Sequence, residues 1–277
     1  MSQEKFIDIE KIIASKNPRL LKWMPGFVLR YVKRILHEEE VNAFMKKNGH
    51  LRDLDFVNCV LNYFHIKIVV KGLENLPAEG GFILAANHPL GGLDGMALMS
   101  AVGQKRTDIR FLVNDILLSF GTMDNLFVPV NKHGSQHGKS LIEEAYSSEN
   151  AVLIFPAGLV SRKTDGEICD LEWKKSFIVK AQQYKKPIVP CFIDGKNSNW
   201  FYNLSLWRRR FGIKANIEMF YLGDEMFRQR DHTITIIFDR PVPIARFDSS
   251  RAPKKWAAAM KEHVYALGAG KKGPFST

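Results

Sequence analysis

Short apolar runs, most separated from the next by a segment of helical periodicity, limit the folds open to this chain more than any other feature. They fall at His65 to Val70, Phe82 to Ala86, Ile109 to Val113, Ala151 to Phe155, Ile188 to Ile193, Ala215 to Tyr221 and Thr233 to Phe238. A run such as Ala151-Val152-Leu153-Ile154-Phe155 is apolar throughout rather than alternating, as a strand buried on both faces must be. Helical segments are expected at Gly95 to Val102, Gly138 to Ser147 and Trp173 to Tyr184, with a closing helix from Pro253 to Leu267. Strands alternating with helices imply an α/β fold with a largely parallel central sheet flanked by helices. With 277 residues the chain can bury a full core. Residues before about 65 read as helices punctuated by Pro18, Pro25 and the Asn48-Gly49 turn. The expected organisation is an N-terminal helical segment, 1–64, followed by an α/β domain, 65–277.

In an open α/β sheet ligands bind beyond the carboxyl ends of the strands, so the loops that leave those ends carry the chemistry. One of them is Ala86-Asn87-His88-Pro89-Leu90-Gly91-Gly92-Leu93-Asp94-Gly95. A carboxylate on one imidazole nitrogen sets the tautomer and stabilises the imidazolium, leaving the other nitrogen to take a proton from a hydroxyl. His88 and Asp94 can form such a pair if Gly91 and Gly92 let the loop bend, and the N–H groups of these glycines are candidate oxyanion donors. The alternative is a tight loop in which Asp94 caps the following helix and His88 lies on the surface. A second loop, Phe155-Pro156-Ala157-Gly158, leads to the basic stretch Ser161-Arg162-Lys163 and should border the same crevice. There is no Gly-x-Ser-x-Gly elbow, no Walker-type phosphate loop and no Gly-x-Gly-x-x-Gly fingerprint.

Asn87-His88 followed by Asp94-Gly95, then Phe155-Pro156-Ala157-Gly158, then Ile188-Val189-Pro190, resemble the ordered motifs of the glycerolipid acyltransferase family, typified by lysophosphatidic acid acyltransferase, over residues 65 to 240. The resemblance implies that His88 is a general base, that Asp94 orients it, and that the acceptor hydroxyl attacks an acyl thioester directly with no acyl-enzyme. Two departures shape the expectation. Five residues, Pro89 to Leu93, separate His from Asp where the family has four, so the loop must bulge, at Gly91-Gly92. The family's Phe-Pro-Glu-Gly-Thr-Arg becomes Phe155-Pro156-Ala157-Gly158-Leu159-Val160, without the Glu and Arg. The longer spacing with Phe-Pro-Ala-Gly is similar to the hemolysin-related branch, which includes O-acyltransferases that complete ornithine or glycine aminolipids. A lyso-aminolipid is therefore the expected acceptor, against a lysophosphatidate acyltransferase or an inactive lipid-binding relative.

Around the matched motifs, Asn87, Phe155, Pro156, Gly158 and Ser161 are candidates for holding substrate. Lys132 stands where the family carries an Arg. Arg162 and Lys174 or Lys175 are placed to take a carboxylate or a carrier phosphopantetheine. No cofactor is expected beyond the acyl carrier protein or coenzyme A thioester consumed as substrate. A metal site is not expected either: His133 and His137 have ligand spacing, but Gly134 and Gly138 place them in a loop.

A net charge of +11 calls for an anionic partner. No zinc-finger spacing, RNP-like strand or basic-region helix points to nucleic acid, so none is expected. From Pro25, Phe27, Val28, Tyr31, Val32, Ile35 and Leu36 form an apolar stripe, with Arg30, Lys33 and Arg34 largely off it. Such a helix either lies in a lipid interface or packs on its own domain. The stretch Trp200, Phe201, Tyr202, Leu204, Leu206 and Trp207, followed by Arg208 to Arg210, suits an anionic bilayer surface or else a buried aromatic core. No apolar run reaches membrane-spanning length. Met1 to Lys16 lacks a secretory pattern, and Cys59, Cys169 and Cys191 show no CxxC spacing. The expectation is a peripheral protein of the cytoplasmic membrane face, contacting membrane lipids.

Overall fold

The computed structural model describes residues 5–114, 121–130, 136–164, 166–271 and 273–275. Its centre is a seven-stranded sheet built from β1 (Lys67–Lys71), β2 (Phe82–Ala86), β3 (Ile109–Val113), β4 (Phe127–Pro129), β5 (Ala151–Ile154), β8 (Ile188–Ile193) and β9 (Thr233–Phe238). The spatial order is β1-β9-β8-β2-β5-β3-β4. Strands β8, β2, β5, β3 and β4 run parallel, while β9 is antiparallel to β8 and β1 is parallel to β9. The largely parallel α/β architecture expected from the sequence is thus the observed one. A separate hairpin, β6 (Arg162–Thr164) with β7 (Glu167–Cys169), lies outside the sheet.

Strand β2 is central, with β5 on one side and β8 on the other, and all five of its residues are buried. Its side chains alternate between two cores. Phe82, Leu84 and Ala86 join the layer of α5 (Asp53–Tyr63) and α6 (Gly92–Gly103), which packs Phe56, Val57, Leu61, Leu93, Ala97 and Leu98 on that face. Ile83 and Ala85 join the opposite layer of α7 (Gln136–Ser147), α8 (Ser176–Tyr184) and α11 (Pro253–Gly268), with Tyr146, Phe177, Trp256 and Met260. Two helical layers around one sheet hold β2 rigidly, and with it the loop that leaves its carboxyl end.

The N-terminal region is helical: α1 (Ile9–Lys16), α2 (Pro18–Trp23), α3 (Gly26–Ile35) and α4 (Glu38–Asn48) precede α5. Met45 of α4 and the apolar face of α5 share the core of the sheet, so its hydrophobic layer extends well before residue 65. On α3 the apolar stripe divides: Ile35 is buried, whereas Phe27 and Tyr31 face outward.

Several boundaries differ from expectation for local reasons. Ala215 to Tyr221 is not a strand: Ile217–Tyr221 is a 3-10 turn leading into α10 (Leu222–Arg228). Alternation would have placed Ile217, Met219 and Tyr221 together inward, but Glu218 is the buried residue because two arginines await it, and Phe220 is exposed. The helix expected from Trp173 begins only at Ser176, since the Trp173 indole N–H donates to Asp170 and the Lys174 N–H to the Pro156 carbonyl. Helix α6 starts three residues before the expected Gly95, which brings Asp94 into its first turn. The segment from Trp200 is also helical, α9 (Asn199–Arg210). Neither β4 nor the β6–β7 hairpin has a signature in the sequence, because strands of three residues carry no readable pattern.

Phe177 is fully buried on α8, edge-on to Trp173. Phe177→Ala is expected to cost about 3–5 kcal/mol, read as a lower urea midpoint with unchanged secondary structure. An unchanged midpoint would mean that α8 does not hold this layer.

Candidate active site

At the carboxyl end of β2, Asn87 fastens the loop to the neighbouring strand. Its amide donates to the Ile193 carbonyl at 2.9 Å and accepts the Ile193 N–H at 2.7 Å, so its side chain continues the ladder between β2 and β8. Asn87 is buried and occupied in this way, a brace rather than a residue presented to substrate. The next residue, His88, is partly exposed, with a side-chain exposure of 16% over a fully buried Asp94.

The His88 ring meets the Asp94 carboxylate through Nδ1, 3.1 Å from Oδ1 and 3.0 Å from Oδ2. Oδ2 also accepts the backbone N–H groups of Leu90 at 2.7 Å and Gly91 at 3.2 Å. Asp94 therefore does both things that the sequence left as alternatives: it closes the amino end of α6 and it orients the imidazole. The additional loop residue is absorbed where Gly91 takes φ +98°, a conformation open to glycine. The same bond removes Gly91 from the oxyanion donors expected from the sequence, since its N–H is committed to Asp94. Gly92, exposed at the first position of α6, has no such commitment among the described residues.

Phe155, the residue after β5, leaves the sheet and stacks on His88 with ring centroids 4.1 Å apart and planes 16° apart. That shields one imidazole face and restricts its rotation. The turn that follows closes with Gly158 N–H on the Phe155 carbonyl at 2.9 Å and Gly158 at φ +66°. The Pro156 carbonyl accepts the Lys174 N–H at 3.0 Å. Lys174 is exposed, and its Nζ lies 3.1 Å from where a β-carbon on Gly158 would stand. The structure thus brings His88, Asp94 and Phe155 together beyond the carboxyl ends of β2 and β5, with Gly158 in the turn after Phe155 and Lys174 beside that turn. Lys132 lies outside the described residues.

Ser161 and Arg162 have other roles than substrate contact. Ser161 N–H donates to the His88 carbonyl at 2.7 Å, and its hydroxyl to the Asp170 carboxylate at 2.6 Å. Arg162 is 3% exposed. Its guanidinium pairs with Glu218 at 3.0 Å, donates to the Val160 carbonyl and lies over the Phe201 ring. Arg208 approaches the same fully buried Glu218 at 2.8 Å. Burial pulls the Arg162 guanidinium below its ordinary value, and Glu218 opposes that shift. Arg162 is therefore a buried counter-ion, not the carboxylate ligand that its place in a basic loop suggested.

Two residues at this site, Glu218 and Asp170, have no sequence signal. Glu218 sits in a segment with strand-like alternation, and Asp170 is a single acid between a polar hairpin and Trp173. On α9, Phe201 and Tyr202 are buried beside Val160 whereas Trp200 and Trp207 are exposed, so the aromatic segment divides between core and surface.

Residues 11–270 match the model of the acyltransferase family. The lyso-glycine lipid O-acyltransferase of Bacteroides thetaiotaomicron is 42% identical, covering 94% of this chain and 97% of that protein. Its counterpart of the same name from Phocaeicola vulgatus is 41% identical, covering 94% and 95%. The solved 1-acyl-sn-glycerophosphate (LPA) acyltransferase PlsC from Thermotoga maritima is 17% identical with a TM-score of 0.45, covering 94% of this chain and 98% of that one.

Removing one partner of a buried ion pair strands the other charge. Glu218→Ala is expected to cost about 3–5 kcal/mol, and Arg162→Ala to lower the unfolding midpoint rather than act on substrate affinity. An Arg162→Ala protein with a wild-type unfolding midpoint and a raised acceptor KM would return this arginine to the substrate.

Proposed function

The chain belongs to the acyltransferase family, and from that premise we propose that it moves a fatty acyl group from an acyl thioester to the hydroxyl of a lyso-glycine lipid at a membrane surface. The observation that carries the chemistry is the orientation of His88. Its Nδ1 is held by Asp94, and its Nε2 has no hydrogen-bond partner among the described residues. In that tautomer Nε2 is the acceptor. It takes the proton of the lipid hydroxyl as the oxygen attacks the thioester carbonyl. The tetrahedral intermediate then collapses to the ester and a thiolate, and the imidazolium returns the proton to the sulfur. Asp94 stabilises the imidazolium meanwhile, and general-base help of this kind is worth about 10²- to 10⁴-fold. No side-chain nucleophile is required, since the attacking oxygen belongs to the acceptor.

The acceptor reading rests on the relatives named for lyso-glycine lipid, and the charges exposed near His88 agree with it. A glycine-headed lipid presents one carboxylate, which a single exposed cation such as Lys174 can meet, whereas a phosphate monoester favours arginine forks. Arg162 is withdrawn into its pair with Glu218. The donor is an acyl carrier protein or coenzyme A thioester, either of which brings an anionic phosphopantetheine to a chain of net charge +11.

Membrane docking is proposed on the surface that carries exposed aromatics. Trp23, Phe27, Trp207, Phe211 and Phe220 are all more than half exposed. Tyr31 of α3 and Tyr221 share a hydroxyl hydrogen bond of 2.8 Å, Tyr221 meets Trp200, and Trp200 meets Trp207, which links α3 to α9. Arg209 and Arg210 end α9, between Trp207 and Phe211 in the chain. Among the described residues no helix is long and apolar enough to cross a membrane. Rings at headgroup depth with cations beside them are the pattern of an interfacial attachment.

With one thioester donor, kcat/KM is expected to be higher for lyso-glycine lipid than for lysophosphatidate, and His88→Ala to lower kcat by about 10²-fold or more with unchanged circular dichroism. Preference for lysophosphatidate overturns the acceptor, and a His88→Ala enzyme that keeps a tenth of its activity overturns the base. For docking, sedimentation with phosphatidylglycerol vesicles is expected to exceed that with phosphatidylcholine, to weaken with salt, and to fall in Phe27→Asp and Trp207→Asp. Equal sedimentation of both variants and wild type would place the attachment elsewhere.

A further inference from the structure

Among the described residues, every polar group of His88 except Nε2 is engaged. Nδ1 is on Asp94, the carbonyl accepts the Ser161 N–H at 2.7 Å, and the backbone N–H donates to Asp170 Oδ1 at 3.2 Å. The last of these partners has no part in the chemistry proposed above. Asp170 follows β7 and is 2% exposed. Oδ1 accepts a second hydrogen bond from the Ser161 hydroxyl at 2.6 Å, and Oδ2 accepts the Trp173 indole N–H at 2.8 Å. Three donors from three segments converge on one buried side chain. Only a group that is purely an acceptor satisfies all three together, and a carboxylate is such a group.

Asp170 is itself held from the opposite side. Its backbone N–H donates to the Tyr265 hydroxyl at 2.7 Å and its carbonyl accepts Lys261 Nζ at 2.5 Å, both from α11. Burial raises the Tyr265 phenol above its ordinary value, and the neighbouring Asp170 charge raises it further, so this hydroxyl stays protonated. The closing helix of the fold is thereby tied through a single aspartate to the main chain of His88.

The consequence for the site is geometric. The direction of an imidazole is set first by its own backbone, and Asp94 belongs to α6, a different rigid element. The contacts of 3.0 and 3.1 Å between ring and carboxylate persist only if the His88 main chain is fixed relative to α6. A displacement of about 1 Å in a reacting constellation costs on the order of 10²-fold in rate. We propose that Asp170 is a positioning residue for the His88 base, clamping its main chain through the N–H and through Ser161, and that Tyr265 and Lys261 of α11 hold the clamp in place.

The inference rests on His88 acting as the base, and the test separates the two ideas. The full-length protein, labelled with ¹⁵N at histidine, is studied as wild type, Asp170→Ala, Asp170→Asn, Asp170→Asn with Trp173→Phe, and Tyr265→Phe, with His88→Ala used to assign the ring signals. The Asn variant offers an amide N–H₂ where Trp173 needs an acceptor, and deleting the indole N–H relieves that conflict. Asp170→Ala is expected to lower kcat by about 10²-fold with both KM values nearly unchanged, and to move the His88 ring nitrogens from a single Nδ1–H tautomer toward averaged shifts. Tyr265→Phe and Asp170→Asn shift the same signals less, and the double variant recovers kcat relative to Asp170→Asn. A fall in kcat with the His88 tautomer signals unchanged overturns the proposal, because a loss of general packing does not act through the ring. Wild-type kcat with unchanged signals in Asp170→Ala also overturns it. If Asp170→Ala does not fold, the same outcomes in Tyr265→Phe and Asp170→Asn decide. The ring signals are read without substrate, so a wrong acceptor leaves them intact. Full activity in His88→Ala removes the base while leaving the clamp measurable.

Discussion

The carboxylate of Asp94 accepts from the His88 ring and from the N–H groups of Leu90 and Gly91 at once, and the candidate site is arranged around that convergence. A buried carboxylate is costly unless its charge is met, and here the amino end of α6 and an imidazole meet it together. Helix start and ring orientation therefore share one carboxylate: the group that accepts the Leu90 and Gly91 N–H groups also accepts from His88 Nδ1. Glycine at position 91 is the condition for this, because φ +98° is closed to other residues except at a cost in strain.

The sheet supplies what a loop alone lacks. β2 is flanked on both sides and covered on both faces, so the carboxyl end from which Asn87 and His88 emerge is among the least deformable places in the fold. Asn87 extends the ladder by one more pair of bonds to β8, and Phe155 comes from the end of β5 to lie against the imidazole. Three adjacent strands thus contribute to one histidine. A rigid scaffold of this kind puts a reactive group in place before substrate arrives, the basis of orientation effects in catalysis.

The Arg162–Glu218–Arg208 cluster illustrates a different use of charge. It ties the β6 hairpin to α9 and to the turn before α10, in a region where Val160, Phe201 and Tyr202 form only a small apolar cluster. Buried ion pairs add little stability over apolar packing, but they define one arrangement strongly, since any other leaves a charge unpaired. That specificity keeps the 155–161 turn in register with the His88 loop.

Much of this protein was legible in its sequence. Apolar runs marked β1, β2, β3, β5, β8 and β9: the central β2, β5 and β8 are apolar throughout because both their faces are covered, whereas β3 and β9 alternate between buried and half-buried positions. The glycine-rich loop with its histidine and aspartate marked the candidate site, because taking a proton from a hydroxyl calls for those residue types and the positive φ at Gly91 calls for glycine. Tertiary structure decided what residues with ambiguous patterns became. Ile217 to Tyr221 alternates like a strand yet turns as a 3-10 helix, since the gain of pairing Glu218 with two arginines exceeds a weak local preference. Arg162 reads as a surface cation and is buried, and Ser161 and Asn87 read as substrate contacts and are braces. Asp170 was invisible, because a residue whose partners come from sequence separations of 82 and 95 positions has no local pattern to betray it. Periodicity and turn chemistry are local quantities and can be read along the chain; the partner of a buried charge is set only when distant segments meet.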